Sequence, residues 1–157
     1  MSSASRGPTG SDELAFATIS GLAPRLAAKE ISPVEVTDVM LARIERYDPA
    51  LNSYITVTAD SARHAARAAE AAIMAGHHLG PLHGIPVALK DLYATRGVAT
   101  TYGSRLFADW VPDFDAAAVE RLKRAGAVIL GKTNLHELAY GTTSANAHYG
   151  PVRNPWH

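Results

Sequence analysis

Two short apolar segments place the strongest constraint on the fold of this 157-residue chain. Residues 85–89 and 127–130 are rich in Val, Ile, Leu and Ala and are too short for helices, so each is expected to form a buried strand. Residues 115–125 lie between them and show the pattern of a helix. Two strands joined through a helix run parallel in one sheet. The pattern therefore predicts an α/β fold with at least partly parallel strand pairing.

Capping residues and helical spacing predict further elements in the first third of the chain. Residues 12–30 are expected to form two short helical stretches, broken at Gly21 and Pro24. A stronger helix begins at the N-cap Ser32, which is followed by proline and then by the glutamate of a capping box. We expect it to stop before Asp48, because a residue that precedes proline is disfavoured in the α region.

The same reasoning extends to the middle of the chain. Residues 53–57 are β-branched and aromatic and are predicted to form a strand, and residues 60–75 are predicted to form an Ala-rich helix. The helix over residues 115–125 is expected to begin at the cap Asp115, with Glu120 and Arg124 paired one turn apart.

Composition excludes several classes of protein. The formal net charge is zero, which removes the electrostatic argument for a nucleic-acid or acidic-membrane partner, and there is no cysteine for disulfides or thiolate chemistry. No apolar run approaches membrane-spanning length. Residues 1–11 are predicted to be a disordered leader without a signal-peptide core, and residues 12–157 to form the folded part of a cytoplasmic protein. We expect no cofactor or metal, because His77, His78 and His83 lack ligand spacing and are better explained as a polar loop.

A phosphate-loop pattern at residues 126–133 is rejected on physical grounds. Gly126, four residues and Gly131-Lys132-Thr match its letters, but the four intervening residues are the predicted strand itself, so their amides are not free to bind phosphate. Gly126 is expected to end a helix and Gly131 to end a strand. Asn134, with Glu137 three residues later, is expected to cap a short helix.

Lys90 is the strongest candidate for a residue with a chemical role. Only four of the 15 basic residues are lysine, and Lys90 directly follows an apolar strand. Such a lysine can extend to solvent or pair with a carboxylate such as Asp91. It can also lose its proton in a desolvated site and act as a general base, which arginine cannot do. The residues alone leave both interpretations open.

The motifs around Lys90 resemble those of the amidase signature family. The matching segments are Gly80-Pro-Leu-His-Gly-Ile-Pro-Val-Ala-Leu-Lys90-Asp91, Gly126-Ala-Val-Ile-Leu-Gly-Lys-Thr-Asn134, then Glu137, Gly141, Gly150 and Arg153-Asn-Pro-Trp156. The resemblance covers about residues 12 to 157. It implies the amidase-signature fold, a mixed sheet flanked by helices, with residues 12–157 expected to be the N-terminal part of that domain and the fold therefore incomplete in this chain.

The resemblance also implies a Ser–cis-Ser–Lys mechanism that hydrolyses the C–N bond of a small-molecule amide, with Lys90 as the catalytic lysine. In this mechanism the lysine takes a proton through a bridging serine, and a second serine attacks the amide carbonyl. The family's serine-rich signature does not occur within the 157 residues, and Ser104 and Ser144 do not substitute for it, being loop serines that bond their own backbone. We therefore expect the isolated chain to be inactive.

Residues 139–142 align with a segment that lines the acyl pocket in the family. Ala139, Tyr140, Gly141 and Thr142 are accordingly predicted to contact substrate. Two alternatives remain open. The chain can belong to the A subunit of a tRNA-dependent glutamine amidotransferase, with partner subunits, rather than to a free-standing or homodimeric amidase. It can also be a non-catalytic interaction module.

Overall fold

The protein forms a small mixed sheet with helices packed against it. The computed structural model describes residues 10–156. Its elements are α1 (Gly10–Phe16), α2 (Ile19–Ala27), α3 (Pro33–Leu51), β1 (Tyr54–Val57), α4 (Ala59–Met74), β2 (Pro86–Lys90), α5 (Ala117–Arg124) and β3 (Val128–Thr133), with 3₁₀ turns at Arg105–Phe107 and Glu137–Ala139. Of the predicted leader, residues 1–9 lie outside the described residues, whereas residues 10 and 11 begin α1.

The sheet has the order β1-β3-β2, with β3 at its centre. β3 runs parallel to β2 and antiparallel to β1, and α5 provides the crossover between the parallel strands. The prediction of an α/β fold with a mixed sheet flanked by helices is therefore confirmed. Beyond Val87 the β2–β3 register shifts by one residue, and it ends with Lys90 paired to Thr133.

Two apolar clusters hold the helices against the sheet. In one, Val128 and Leu130 of β3 pack on small residues of α4 and on Leu41 of α3. The small side chains of the α4 alanines permit this close approach. In the other, Ile85 packs on the N-terminal helices, with Leu14, Leu22, Leu26, Ile31 and Val36. Along residues 10–156, no helix is long and apolar enough to cross a membrane.

The N-terminal helices break and end elsewhere than predicted. Gly21 and Pro24 both lie inside α2, which begins instead after Thr18, whose side chain accepts a hydrogen bond from the Gly21 amide at 3.1 Å. This cap fixes the start of the helix, and α2 continues through Pro24 although proline provides no amide hydrogen for a helical bond.

α3 continues through Pro49 rather than stopping before Asp48. It ends at Asn52, whose φ of 55° gives the left-handed conformation of a C-cap and whose amide bonds Asp48 O at 2.7 Å. The Asp48 carboxylate then accepts the amide hydrogen of Ser53 at 2.7 Å. These bonds stabilise a later end to the helix than the Asp-Pro dipeptide alone indicates.

The elements after residue 115 also require correction. Ala116 and not Asp115 occupies the N-cap of α5. The Asp115 carboxylate instead binds Lys123 Nζ at 2.8 Å and the Arg96 amide at 2.7 Å. The predicted Glu120–Arg124 pair is present at 3.8 Å, and Gly126 follows the helix end with a φ of +79° as expected.

Two predictions for the 131–137 region are wrong. β3 does not end at Gly131 but continues through Thr133, because these residues still pair with both neighbouring strands. Asn134 does not cap a helix, since its side-chain amide donates to the carbonyls of Asn52 and Gly150. The short 3₁₀ turn Glu137–Ala139 begins after His136 instead.

We expect Gly131→Ala to destabilise the protein strongly. A Cβ at Gly131 would lie 2.2 Å from the backbone oxygen of Thr56, so β1 would have to move away from β3. The expected loss is about 2 kcal/mol or more of unfolding free energy, measured by urea unfolding. Gly21→Ala is the matched control, because its Cβ meets only Thr18 Oγ1 at 3.4 Å within a helix, where alanine is neutral or stabilising. Equal stability of the two variants would contradict this account of the sheet.

Candidate active site

Lys90 lies at the carboxyl end of β2, and its side chain is exposed to solvent. Leu89 before it and Asp91 after it are both buried, which is the alternation of a strand that has one covered face. Among the described residues, none forms a hydrogen bond or ion pair with the Lys90 ammonium. Of the interpretations left open, the described residues show Lys90 extending to solvent: its side chain is exposed, and it does not pair with Asp91.

Asp91 pairs instead with Lys132, the lysine of the rejected phosphate-loop pattern. Lys132 Nζ lies 3.0 Å from Asp91 Oδ1, and both side chains are 0% exposed. The pair joins the end of β2 to the end of β3, next to the Lys90–Thr133 register position. Burial lowers the pKa of Lys132, and the neighbouring Asp91 carboxylate opposes that shift.

The second oxygen of Asp91 holds the loop that follows β2. Asp91 Oδ2 accepts the Thr101 amide at 2.8 Å and the Thr101 hydroxyl at 2.6 Å. Lys132 Nζ also donates to Thr100 Oγ1 at 2.7 Å. The buried network thus connects β2, β3 and residues 100–101, so that three separate stretches of chain meet beneath Lys90.

The phosphate-loop pattern is contradicted by its structure, as predicted. Gly126 follows a helix and Val128–Thr133 is a strand whose backbone pairs with both neighbours. The Lys132 ammonium is committed to Asp91 and Thr100. This segment therefore presents no free cradle of amide groups to a phosphate.

The predicted substrate-binding segment is connected to the Lys90 turn through Tyr102. The Tyr102 amide donates to Asp91 O at 3.1 Å, and the Leu138 amide donates to Tyr102 O at 2.7 Å. Leu138 and Ala139 both have positive φ, near 55°, which turns the chain sharply before Tyr140. Tyr140 is 95% exposed, so its side chain is available for contacts.

Gly141 has a packing role that its position in a loop did not reveal. A Cβ at Gly141 would lie 2.6 Å from the His136 ring, so the loop folds directly over that imidazole. Thr143 O lies 3.1 Å from His136 Nδ1 and holds the ring in place. Whether Ala139, Tyr140, Gly141 and Thr142 contact a substrate stays a prediction.

Ser104, Glu137 and His148 form a cluster near this loop, but not a nucleophilic triad. Glu137 Oε1 lies 3.1 Å from His148 Nε2, and the hydrogen bond from Ser104, followed by the charge of His148, lowers the pKa of Glu137. The carboxylate therefore lies between serine and histidine, whereas activation of a serine needs the imidazole in direct contact with it. Ser104 Oγ accepts the Leu106 amide at 3.3 Å, which confirms its prediction as a loop serine bonded to its own backbone.

Three asparagines hold the last described residues through side-chain contacts that their sequence context does not indicate. Asn52 Nδ2 donates to Tyr149 O at 2.7 Å, and Asn134 Nδ2 donates to Gly150 O at 3.0 Å. Asn146 Nδ2 donates to Gly103 O at 2.8 Å. Each asparagine binds backbone far away in sequence, so no local pattern indicates the contact. Together they place the 144–154 segment against the ends of α3 and β3.

The three neighbouring histidines do not converge on a common point for an ion. His83 is buried and its Nδ1 accepts the Leu79 amide at 3.1 Å, while His77 and His78 are exposed. Between residues 10 and 156, no group of three or more metal-ligating side chains is placed to hold a metal ion.

Comparison with known proteins identifies the family to which this chain belongs. A family model described as Amidase matches residues 35–157. The chain therefore belongs to the Amidase family, and the resemblance to amidase signature enzymes is confirmed.

Several relatives are similar over most of the chain. It is 50% identical over 135 residues to the A subunit of glutamyl-tRNA(Gln) amidotransferase from Acidothermus cellulolyticus, covering 86% of this chain and 27% of that protein. Its fold matches the peptide amidase of Stenotrophomonas maltophilia with a TM-score of 0.84 at 37% identity, over 91% of this chain and 31% of the other. A fatty acid amide hydrolase matches with a TM-score of 0.88 at 25% identity, over 93% and 26%. The chain thus spans about a quarter to a third of the length of these relatives.

We expect His83 to make stability depend on pH. Burial, and then the nearby His78, lower the pKa of His83 below its ordinary value of 6.5. A depressed pKa means that the neutral ring stabilises the fold above pH 6.5, and that this contribution is lost as the pH falls toward the folded-state value. Protonation of Nδ1 also removes the acceptor of the Leu79 hydrogen bond, worth about 1 kcal/mol.

The test is urea unfolding of His83→Asn at neutral and acidic pH. Asparagine can accept the same amide hydrogen but does not titrate, so the variant should lose less stability on acidification than the unsubstituted protein. His77→Asn, at an exposed position, should leave the pH dependence unchanged. An unaltered pH slope in His83→Asn would contradict the prediction.

Proposed function

We propose that the complete protein is an amidase-signature hydrolase that cleaves the C–N bond of a carboxylic amide, with Lys90 as its general base. The observation that carries the proposal is the position of Lys90. It is the lysine of the family motif, it stands at the end of a parallel strand, and its ammonium is uncommitted among the described residues. Lys132 is the other lysine within a motif, and its ammonium is already paired with the Asp91 carboxylate.

The proposed reaction needs a lysine that can be neutral. Lys90 would take a proton from a bridging serine, which in turn would deprotonate the serine that attacks the amide carbonyl. Both serines would come from chain outside these 157 residues, and that chain would also cover Lys90. Removal from water disfavours the ammonium form, which would bring the lysine toward the neutral state that a base requires.

The substrate is proposed to be a small-molecule amide that contacts Ala139, Tyr140, Gly141 and Thr142. The hydrogen bonds through Tyr102 support this, because they tie the segment to the Lys90 turn. We also propose a cytoplasmic location, supported by the absence of cysteine, and no direct contact with nucleic acid, supported by the zero net charge.

Lys90→Arg is expected to slow amide hydrolysis by the complete protein severely. Arginine keeps the positive charge but cannot lose its proton, so general-base catalysis fails and kcat should fall by about 100-fold to 10,000-fold. The measurement is turnover across a panel of aliphatic, aryl and peptide amides, with circular dichroism to verify the fold. Lys29→Arg makes the same substitution at an exposed lysine and should retain full activity. Undiminished turnover in Lys90→Arg would refute the assignment.

A second function is favoured by the curated relatives. The 50% identity to the A subunit of a glutamyl-tRNA(Gln) amidotransferase exceeds the 37% identity to the peptide amidase. In this alternative the same lysine would serve glutamine hydrolysis, and the protein would work with partner subunits that use the ammonia.

Glutaminase assays distinguish the two functions. The amidotransferase alternative predicts that purified protein hydrolyses glutamine faster once the other subunits and a charged tRNA are added. A free-standing amidase is expected to hydrolyse simple amides alone, at a rate that these additions do not change. Stimulation of glutamine hydrolysis, with no turnover of the amide panel, would replace the first proposal with the second.

A further inference from the structure

The Asp91–Lys132 pair has no part in the proton transfers proposed above, yet it adjoins the proposed base. Consecutive side chains at the end of β2 diverge, with Lys90 exposed and Asp91 fully buried. Two hydrogen bonds hold the backbone of Asp91. The Asp91 amide donates to Thr133 O at 3.0 Å, and Asp91 O accepts the Tyr102 amide at 3.1 Å.

We propose that Asp91 and Lys132 are positioning residues that fix the direction in which the Lys90 ammonium points. This inference rests on the proposed function, in which Lys90 is the general base. Asp91 does not touch substrate in this account. It acts through the backbone that it shares with Lys90, and Lys132 acts through Asp91.

The physical argument starts from the cost of burying two charges. Removing an ammonium and a carboxylate from water is unfavourable, and well-packed apolar side chains of similar volume often give equal or greater stability. Stability alone therefore does not explain a pair that is 0% exposed on both sides.

Unlike an apolar contact, the pair restrains the orientation of the Asp91 side chain. The two carboxylate oxygens of Asp91 contact three groups from two other stretches of chain: Lys132 Nζ at 3.0 Å, the Thr101 amide at 2.8 Å and the Thr101 hydroxyl at 2.6 Å. These contacts limit rotation and translation of residue 91, and hence of residue 90. Displacement of a catalytic group by about 1 Å can lower the rate about 100-fold.

The test is the double variant Asp91→Asn/Lys132→Met in the complete protein. Each single replacement would leave one buried charge without its partner, whereas the double replacement removes both and keeps similar volumes. We expect a folded protein whose KM changes by less than about threefold and whose kcat falls by about 30-fold to 100-fold. A purely structural role predicts instead that restored folding restores kcat.

A second variant decides the matter if the double variant does not fold. Thr101→Val keeps the ion pair and removes the hydroxyl contact to Asp91 Oδ2, together with the acceptor of the Gly103 amide hydrogen at 3.0 Å. It should fold and show a lower kcat, by about threefold to tenfold, with KM unchanged. The control is Asp115→Asn/Lys123→Met, which removes another Lys–Asp pair, 2.8 Å apart and partly exposed. This control should retain the kcat of the unsubstituted protein.

The outcomes separate this inference from the proposed function. An unchanged kcat in the folded double variant, or in Thr101→Val where only that variant folds, overturns the positioning role. A rise in KM at constant kcat, or an equal loss of kcat in the control, overturns it as well. If these variants retain activity while Lys90→Arg has none, only the positioning role fails. If Lys90→Arg is active, the proposed function itself fails.

Discussion

A buried ion pair between Lys132 and Asp91 is the contact on which the arrangement of this chain depends. It joins the ends of two parallel strands at the point where both leave the sheet, and the same carboxylate holds the loop at Thr101. An unpaired charge in this position would be very unfavourable, so in the native sequence the two strand ends and the loop are expected to come together as one unit. Lys90 directly precedes Asp91, so the contacts that hold Asp91 also fix the position of the Lys90 backbone.

The fold was largely predictable because its main elements depend on local patterns. The apolar runs around residues 87 and 129 and the helix between them define a parallel unit, and the Ala-rich pattern defines α4. The helix ends were less predictable. Pro49 lies inside α3 because Asn52 provides a favourable left-handed cap, so a contact after the proline outweighs the restriction before it.

The site was predictable in its motif but not in its pairing. Sequence reasoning offered Asp91 as a partner for Lys90, the adjacent residue, yet adjacent residues in a strand point to opposite sides. The partner of Asp91 is 41 positions later in the chain, in a motif that resembled a nucleotide site. The register between β2 and β3 brings the two together, and that register includes a one-residue shift after Val87 that the pattern of either strand alone does not indicate.

The asparagine contacts at the end of the described chain bear on the order in which the protein folds. Asn52 binds Tyr149 across 97 residues, and Asn134 binds Asn52 across 82. Contacts of such high sequence separation require the closure of long loops, which slows folding. During synthesis, α3 therefore emerges from the ribosome well before the residues that complete its C-terminal end. Until residues 149 and 150 have been made, the side-chain amides of Asn52 and Asn134 lack these two carbonyl acceptors and must bond water in their place.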